Sequence, residues 1–198
     1  MLETLAGIGW RPIFFGTLVL VIAAVAGWGM AGDRGFAPAH WLHWWIGRII
    51  LPGLRHGSWF ARLGVIFLNN ASICALVIAA GSAPAGAWAA IVAVGLSLGS
   101  ALRMLTDPRW EFPIAVEPPR TEQGGPAAPD RVTAFAVLVN MLELPAIALT
   151  LGLAMGRRAV PNGLSADAVW LVYACWVVPL LLIAAGGEAL WIGRRRPF

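Results

Sequence analysis

The residue with the clearest chemical potential in this sequence is Glu143, an ionisable side chain inside the apolar run 132–156. If that run crosses a bilayer, the carboxyl group lies near mid-depth, where a charge is costly and normally has a partner facing it. Asn140 shares its helix face, three residues away. Pro145 removes a backbone donor from the same run and predicts a kink that frees a carbonyl group.

Further polar side chains in other apolar runs complete a predicted intramembrane polar cluster. The cluster comprises Asn69, Asn70, Arg103, Asn140, Glu143 and Glu188. At about 1.5 Å per residue from the flanking arginines, Asn69 and Glu188 lie roughly 9–11 Å below the membrane boundary. Glu143 lies deeper, at about 18 Å. This depth difference pairs Glu143 with Asn70 and Glu188 with Arg103.

The sequence leaves two interpretations of this cluster open. The cluster is either functional, as a proton or ion pathway or a substrate cavity, or it is a structural contact in which an Asn amide binds a Glu carboxyl group and fixes the helix register. Interhelical polar contacts contribute only about 1 kcal/mol each, but they specify which faces meet. We favour the structural interpretation because transporters usually show discontinuous helices and repeats, and no convincing internal repeat is present.

Composition sets the class of protein that holds these residues. Of 198 residues, 59% are hydrophobic and only 12% are charged, whereas an ordinary soluble domain has about one-quarter charged residues. The sequence therefore predicts a single integral membrane domain over 1–198. The net charge is +4, but the arginines mostly flank apolar runs as membrane anchors do, so we expect no nucleic-acid partner.

Five apolar runs predict an all-α, polytopic membrane helix bundle. The predicted spans are 13–31, 63–80, 85–105, 132–156 and 168–192, with a mobile, proline-rich loop over 106–131. Gly95 and Gly99 form a GxxxG pattern that lets another helix approach closely. Cys74 and Cys175 fall inside apolar runs and are predicted to be small buried hydrophobic residues.

The segment 36–62 is too interrupted by proline and glycine to span, and it predicts an interfacial amphipathic helix between the first two spans. The tryptophans of this segment are predicted interfacial docking side chains, because indole rings prefer the membrane interface. They are Trp41, Trp44, Trp45 and Trp59.

The three histidines of the chain lie in this same segment, and His40 and His43 are candidate ligands for a metal or a pigment. The His-x-x-His spacing alone is a weak metal signal, and a polar interfacial role accounts for these residues more simply. We therefore predict no metal and no cofactor, with lipid as the expected bound molecule and pigment as an alternative.

Arginine counts predict the orientation. Three arginines fall on the side of the N-terminus and eleven on the other side. Because positive residues accumulate in cytoplasmic loops, the N-terminus is predicted outside and the C-terminus inside, in a bacterial inner membrane. The segment 36–62 then lies on the cytoplasmic leaflet.

Three local patterns resemble the stage II sporulation protein M family of membrane proteins. They are the Asn pair within 67–76 (FLNNASICAL), the Glu-Leu-Pro-Ala segment 143–146, and Glu188 near the end of the last run. Order and spacing agree over roughly 63–191, although family members often carry Gly and His just before Glu-Leu-Pro, where 139–141 reads Val-Asn-Met here. The resemblance implies a non-enzymatic membrane protein that works in an assembly.

The functional prediction is a structural or accessory subunit of a larger membrane complex. No Ser/His/Asp, Cys/His, metal or nucleotide motif indicates an enzyme. Two alternatives are a transporter component and an accessory subunit of an energy-transducing, pigment-bearing photosynthetic complex. The expected partners are membrane lipids and other membrane subunits, or further copies of the chain.

Overall fold

The computed structural model describes residues 10–32, 37–55, 58–83, 85–106, 143–159 and 164–194. Every regular element in these ranges is helical, which confirms the all-α class for this part of the chain. The helices are α1 (Trp10–Met30), α2 (Ala37–Trp45), α3 (Leu51–Arg55), α4 (Trp59–Ala80), α5 (Gly86–Thr106), α6 (Glu143–Ala159), α7 (Ala166–Val172) and α8 (Val178–Arg194). π-helical segments join α2 to α3 (Ile46–Ile50) and α7 to α8 (Tyr173–Val177).

Four helical stretches are long and apolar enough to cross a membrane. They are Trp10–Met30, Trp59–Ala80, Gly86–Met104 and Ala166–Gly193. The apolar part of α6, Glu143–Gly156, is shorter than these stretches. The first part of the predicted fourth span, 132–142, and nearly all of the predicted loop 106–131 lie outside the described residues. The five-span count therefore stays a prediction.

Both π-helical segments end two residues before a proline. In an α-helix, a proline has no N–H to donate, and its ring clashes with the carbonyl group four residues earlier. The backbone widens instead: the N–H of Val178 donates to the carbonyl of Tyr173, five residues back. Pro179 is the proline that follows this segment, and Pro52 follows the segment Ile46–Ile50 in the same way. Proline position thus accounts for both interruptions.

Helix α5 packs most extensively on α1, although α4 is its neighbour in sequence. Gly95 and Gly99 are buried on this face, and a Cβ atom added to Gly99 would overlap the carbonyl group of Ala24. The Ser100 hydroxyl donates to the Gly27 carbonyl oxygen at 3.3 Å. The GxxxG surface is therefore occupied by α1 within the chain.

Helices α4 and α6, together with α7, α8 and the π segment that joins α7 to α8, form the other part of the core. Its buried side chains are Ala71, Cys74, Ile78, Ala146, Leu153, Val169, Val172, Val177 and Leu181. Helices α4 and α6 run parallel, because Asn70 in the middle of α4 contacts Glu143 at the start of α6, and Gly81 at the end of α4 lies against Ala154 further along α6.

The helical stretch 37–55 lies across one end of the bundle. In α2, Ala39 is fully buried against Ala31 and Met104, at the ends of α1 and α5. In α3, Leu54 packs with Ile66 near the start of α4. The stretch therefore links the ends of α1 and α5 to the beginning of α4.

Helix α4 begins earlier than the predicted boundary at residue 63. Ser58 has an extended backbone, and the helix starts at Trp59. Arg62 lies inside the helix and is only 7% exposed, beside Gly193 of α8. Helix α4 thus includes the last four residues of the segment 36–62, and the side chain of Arg62, the predicted membrane boundary, packs beside α8.

Candidate functional site

A polar site lies between α4 and α6, formed by Asn69, Asn70 and Glu143, and we call it the α4–α6 site. The Asn70 Nδ2 atom donates to Glu143 Oε1 at 2.8 Å. The Asn69 Nδ2 atom donates to Asn70 Oδ1 at 3.2 Å. The Asn70 amide is thus oriented from both sides, since its oxygen accepts one hydrogen bond while its nitrogen donates the other.

The α4–α6 site contains the pairing that the depth estimate favoured. All three residues are half-buried. A hydrogen bond between a carboxyl oxygen and an amide fixes the relative rotation of the two helices, because either side chain would otherwise be buried without a partner.

A second polar contact lies further along the same two helices. Cys74 is one turn beyond Asn70 on α4, and its thiol lies near Thr150 of α6. Thr150 is buried, and its hydroxyl donates to the Ala146 carbonyl oxygen at 2.8 Å. Helices α4 and α6 therefore meet through polar side chains twice.

Tyr173 ties the last helical stretch to α4. Its hydroxyl donates to the Ala71 carbonyl oxygen at 2.8 Å. Tyr173 is the first residue of the π-helical segment Tyr173–Val177, and a π-helical interruption re-aims the side chains around it. The hydroxyl thus reaches a backbone carbonyl that is already part of the α4 helix.

Glu188 on α8 completes the acidic part of the cluster. It is half-buried, and it is close enough to Glu143 for the two carboxyl groups to interact electrostatically. The structure therefore brings Asn69, Asn70, Glu143 and Glu188 to the same region between α4, α6 and α8.

Arg103 occupies a different place from the one predicted. Its guanidinium carbon lies 5.5 Å from the centroid of the Trp28 ring, a distance suited to a cation–π contact. The helices that carry Arg103 and Glu188, α5 and α8, do not pack extensively on each other. The glycine face of α5 holds it against α1, which carries Arg103 to Trp28. Asn140 lies outside the described residues.

The four predicted docking tryptophans divide into two kinds. Trp41 and Trp44 are 60% and 52% exposed, and Trp41 stacks on the half-buried Trp45 with ring centroids 5.8 Å apart. Trp59 is half-buried, and its Nε1 atom donates to the Gly186 carbonyl oxygen at 3.4 Å. Trp59 thus packs between α4 and α8, whereas Trp41 and Trp44 face outward.

The candidate histidine ligands both lie on α2. His40 is exposed and His43 is half-buried. Within the described ranges, no group of three or more His, Cys, Asp or Glu side chains comes together in a way that could hold a metal ion.

Sequence reasoning missed three members of this region, and it misjudged one cysteine. Cys74, Thr150 and Tyr173 were not assigned to the cluster, although Cys74 follows Asn70 by one helical turn and Tyr173 is the only tyrosine. Cys175 was predicted to be buried, and this is wrong: it is exposed. It lies in the π-helical segment, whose altered phase turns Cys175 away from the core.

Comparison of the chain with protein-family models, with curated proteins and with solved structures finds no match. The resemblance to the stage II sporulation protein M family rests on the three local sequence patterns alone.

Proposed function

We propose that this chain is a non-enzymatic integral membrane protein that acts as a structural or accessory subunit of a larger membrane complex. The observation that carries the proposal is the 2.8 Å hydrogen bond between Asn70 Nδ2 and Glu143 Oε1. The most deeply placed acidic side chain of the sequence is engaged by a neutral amide on a neighbouring helix. That arrangement serves helix packing directly.

The outward side of α1 supports a role in an assembly. Its apolar side chains are strongly exposed, with Phe14 at 54%, Val21 at 53% and Val25 at 68%. Such a face contacts lipid or a neighbouring membrane subunit. The resemblance to the stage II sporulation protein M family points in the same direction, since it implies work within an assembly.

Tryptophan positions support a membrane location, which we assign to the inner membrane of a bacterium. Trp10, Trp88 and Trp170 lie near the starts of helical stretches, and Trp28 and Trp191 lie near the ends of two of them. The eighteen residues between Trp10 and Trp28 cover about 27 Å, close to the roughly 30 Å of a bilayer core. Aromatic residues in two such bands are typical of membrane interfaces.

A transporter component is the second candidate function, and one observation favours it. Glu188 lies near enough to Glu143 for the two charges to interact, and acidic residues within a membrane occur in proton relays. In that case the Asn70 amide would position a proton-carrying group.

Two substitutions at one residue separate these functions. Glu143→Gln keeps an oxygen that accepts from Asn70, so we expect a folded and assembled protein. Glu143→Leu leaves the Asn70 amide without its acceptor and should lower the free energy of unfolding by about 1–3 kcal/mol. Both effects are measured by denaturant titration in detergent and by recovery of the native complex with mass spectrometry.

Ion flux supplies the deciding comparison. If purified chain in proteoliposomes carries protons and the Glu143→Gln variant, assembled normally, does not, the structural proposal is wrong and transport replaces it. Equal and negligible flux in both proteins, together with weaker assembly of Glu143→Leu, supports the structural role.

A further inference from the structure

The helical stretch 37–55 has two distinct sides. Toward the bundle it buries Ala39 and Leu51, with Leu42 and Leu54 partly buried beside them. The opposite side is a line of exposed residues at helical spacing, which we call the outer stripe. The outer stripe consists of Trp41, Trp44, Arg48, Pro52 and Arg55.

The outer stripe has an aromatic half and a cationic half. Trp41 and Trp44 supply two indole rings that are more than half exposed, and Arg48 and Arg55 follow on the same side. The sequence contains no Asp or Glu from residue 34 to residue 106. The side of the bundle that carries the outer stripe therefore has no acidic side chain from this part of the chain to balance the arginines.

Chain connections keep the stretch 37–55 close to the ends of the membrane-crossing helices. It follows α1 after a short connection and leads into α4 after another, and both of its ends pack on the same end of the bundle. If α1 and α4 cross a membrane, a helical stretch fixed at their ends in this way runs along its surface. Exposed indole rings and arginines are the side chains that a surface of phosphate headgroups accepts best.

We propose that the outer stripe docks on the headgroups of anionic phospholipids. Trp41 and Trp44 sit among the headgroups, and Arg48 and Arg55 pair with phosphate groups. The stretch 37–55 thereby holds the bundle to an anionic leaflet. This inference concerns a surface separate from the α4–α6 site, and it stands or falls independently of the proposed subunit function.

Hydrogen exchange in nanodiscs tests the docking. The full chain is reconstituted in phosphatidylcholine alone or with about one-third phosphatidylglycerol, and amide exchange across 37–55 is followed by mass spectrometry. We expect exchange to slow about fivefold in the anionic discs for each arginine engaged, the factor that corresponds to about 1 kcal/mol per residue.

Three variants make the comparison specific. Arg48→Gln combined with Arg55→Gln should abolish the slowing, and Arg48→Lys combined with Arg55→Lys should retain it, since the charge is kept. Arg11→Gln is the matched control, because Arg11 is also exposed but lies at the opposite end of α1. It should leave the slowing unchanged.

Three results would overturn the docking. The first is equal exchange of the unmodified chain in both kinds of disc, and the second is slowing that survives the double Gln substitution. The third is slow exchange seen only in native membrane vesicles and in no disc that holds this chain as its only membrane protein. That result would assign the outer stripe to a protein partner.

Discussion

Asn70 and Glu143 show what a single interhelical hydrogen bond contributes in an otherwise apolar bundle. The bond joins two helices that also share buried aliphatic side chains. Its energy is small beside that packing, so its main effect is to select one rotation of α6 on α4. Asn69 supports the bond indirectly, because its amide donates to Asn70 and not to the carboxyl group.

A double-mutant cycle measures this contribution. Substituting Asn70→Ala, Glu143→Ala and both together should give a coupling energy of about 0.6–1 kcal/mol. The cycle of Asn69→Ala with Glu143→Ala is the control, and we expect a smaller coupling because Asn69 acts only through Asn70. The free energy of unfolding in mixed micelles is the measurement. Equal coupling in the two cycles would contradict an arrangement in which Asn70, and not Asn69, donates to Glu143.

At the scale of single residues, the sequence could predict which polar side chains seek a partner but not all of the partners. Asn70 and Glu143 were paired correctly because depth along a helix follows from residue spacing. Arg103 was misplaced because depth says nothing about which helix lies alongside. The neighbouring helix is determined by Gly95 and Gly99 of α5, which pack against the backbone of α1.

The α1–α5 pair is the element contact that depends most on the absence of side chains. A Cβ atom on Gly27 would overlap the backbone of Leu96, whereas one on Gly29 would meet nothing within 4 Å. These two glycines are two residues apart in the same helix, so they give a matched comparison. The backbones of α1 and α5 can approach this closely only at positions such as Gly27, where a side chain would overlap the other helix.

Gly27→Ala should therefore separate α1 from α5 and lower the free energy of unfolding by about 1–3 kcal/mol. Gly29→Ala should change it by much less, since the added methyl group faces open space. Denaturant titration of the two variants in the same detergent is the measurement. Similar losses for both would show that α1 and α5 do not pack through Gly27.

Helix ends and interruptions can be predicted from the sequence only where a residue such as proline marks them. Pro52 and Pro179 are visible in the sequence, and each coincides with a π-helical interruption. The start of α4 was misjudged because an arginine usually marks a membrane boundary, while Arg62 is buried. Burial of a long cationic side chain depends on the helix beside it, here α8, which local sequence does not specify.

For the whole molecule, composition alone predicted an all-helical membrane protein, and the helical class is confirmed in the described residues. What composition could not supply was the packing order: α5 lies mainly on α1, and α4 lies on α6 and α8. That order arises from matched small and polar faces on helices far apart in sequence.

The orientation that the arginine counts predict can be measured directly. In a background with Cys74→Ala and Cys175→Ala, Ser82→Cys should react with a membrane-impermeant maleimide on intact cells. Gly47→Cys should react only after the cells are opened. Both positions are exposed, and they lie at opposite ends of the bundle. The reverse pattern would place the arginine-rich side outside.

The π-helical segment Tyr173–Val177 makes the last helix tolerant to a change of chain length. From Val169 to Ala184 the buried side chains are spaced by three or four residues, except for the five-residue step from Val172 to Val177. Deleting Ala174 together with Pro179→Ala should give an uninterrupted α-helix that keeps the same buried side, because the step becomes four. Deleting Ala184 instead should rotate everything beyond it by about 100° and prevent folding. The π-helical turn thus contains one residue more than an α-helical turn would, at the place where Pro179 requires the wider turn.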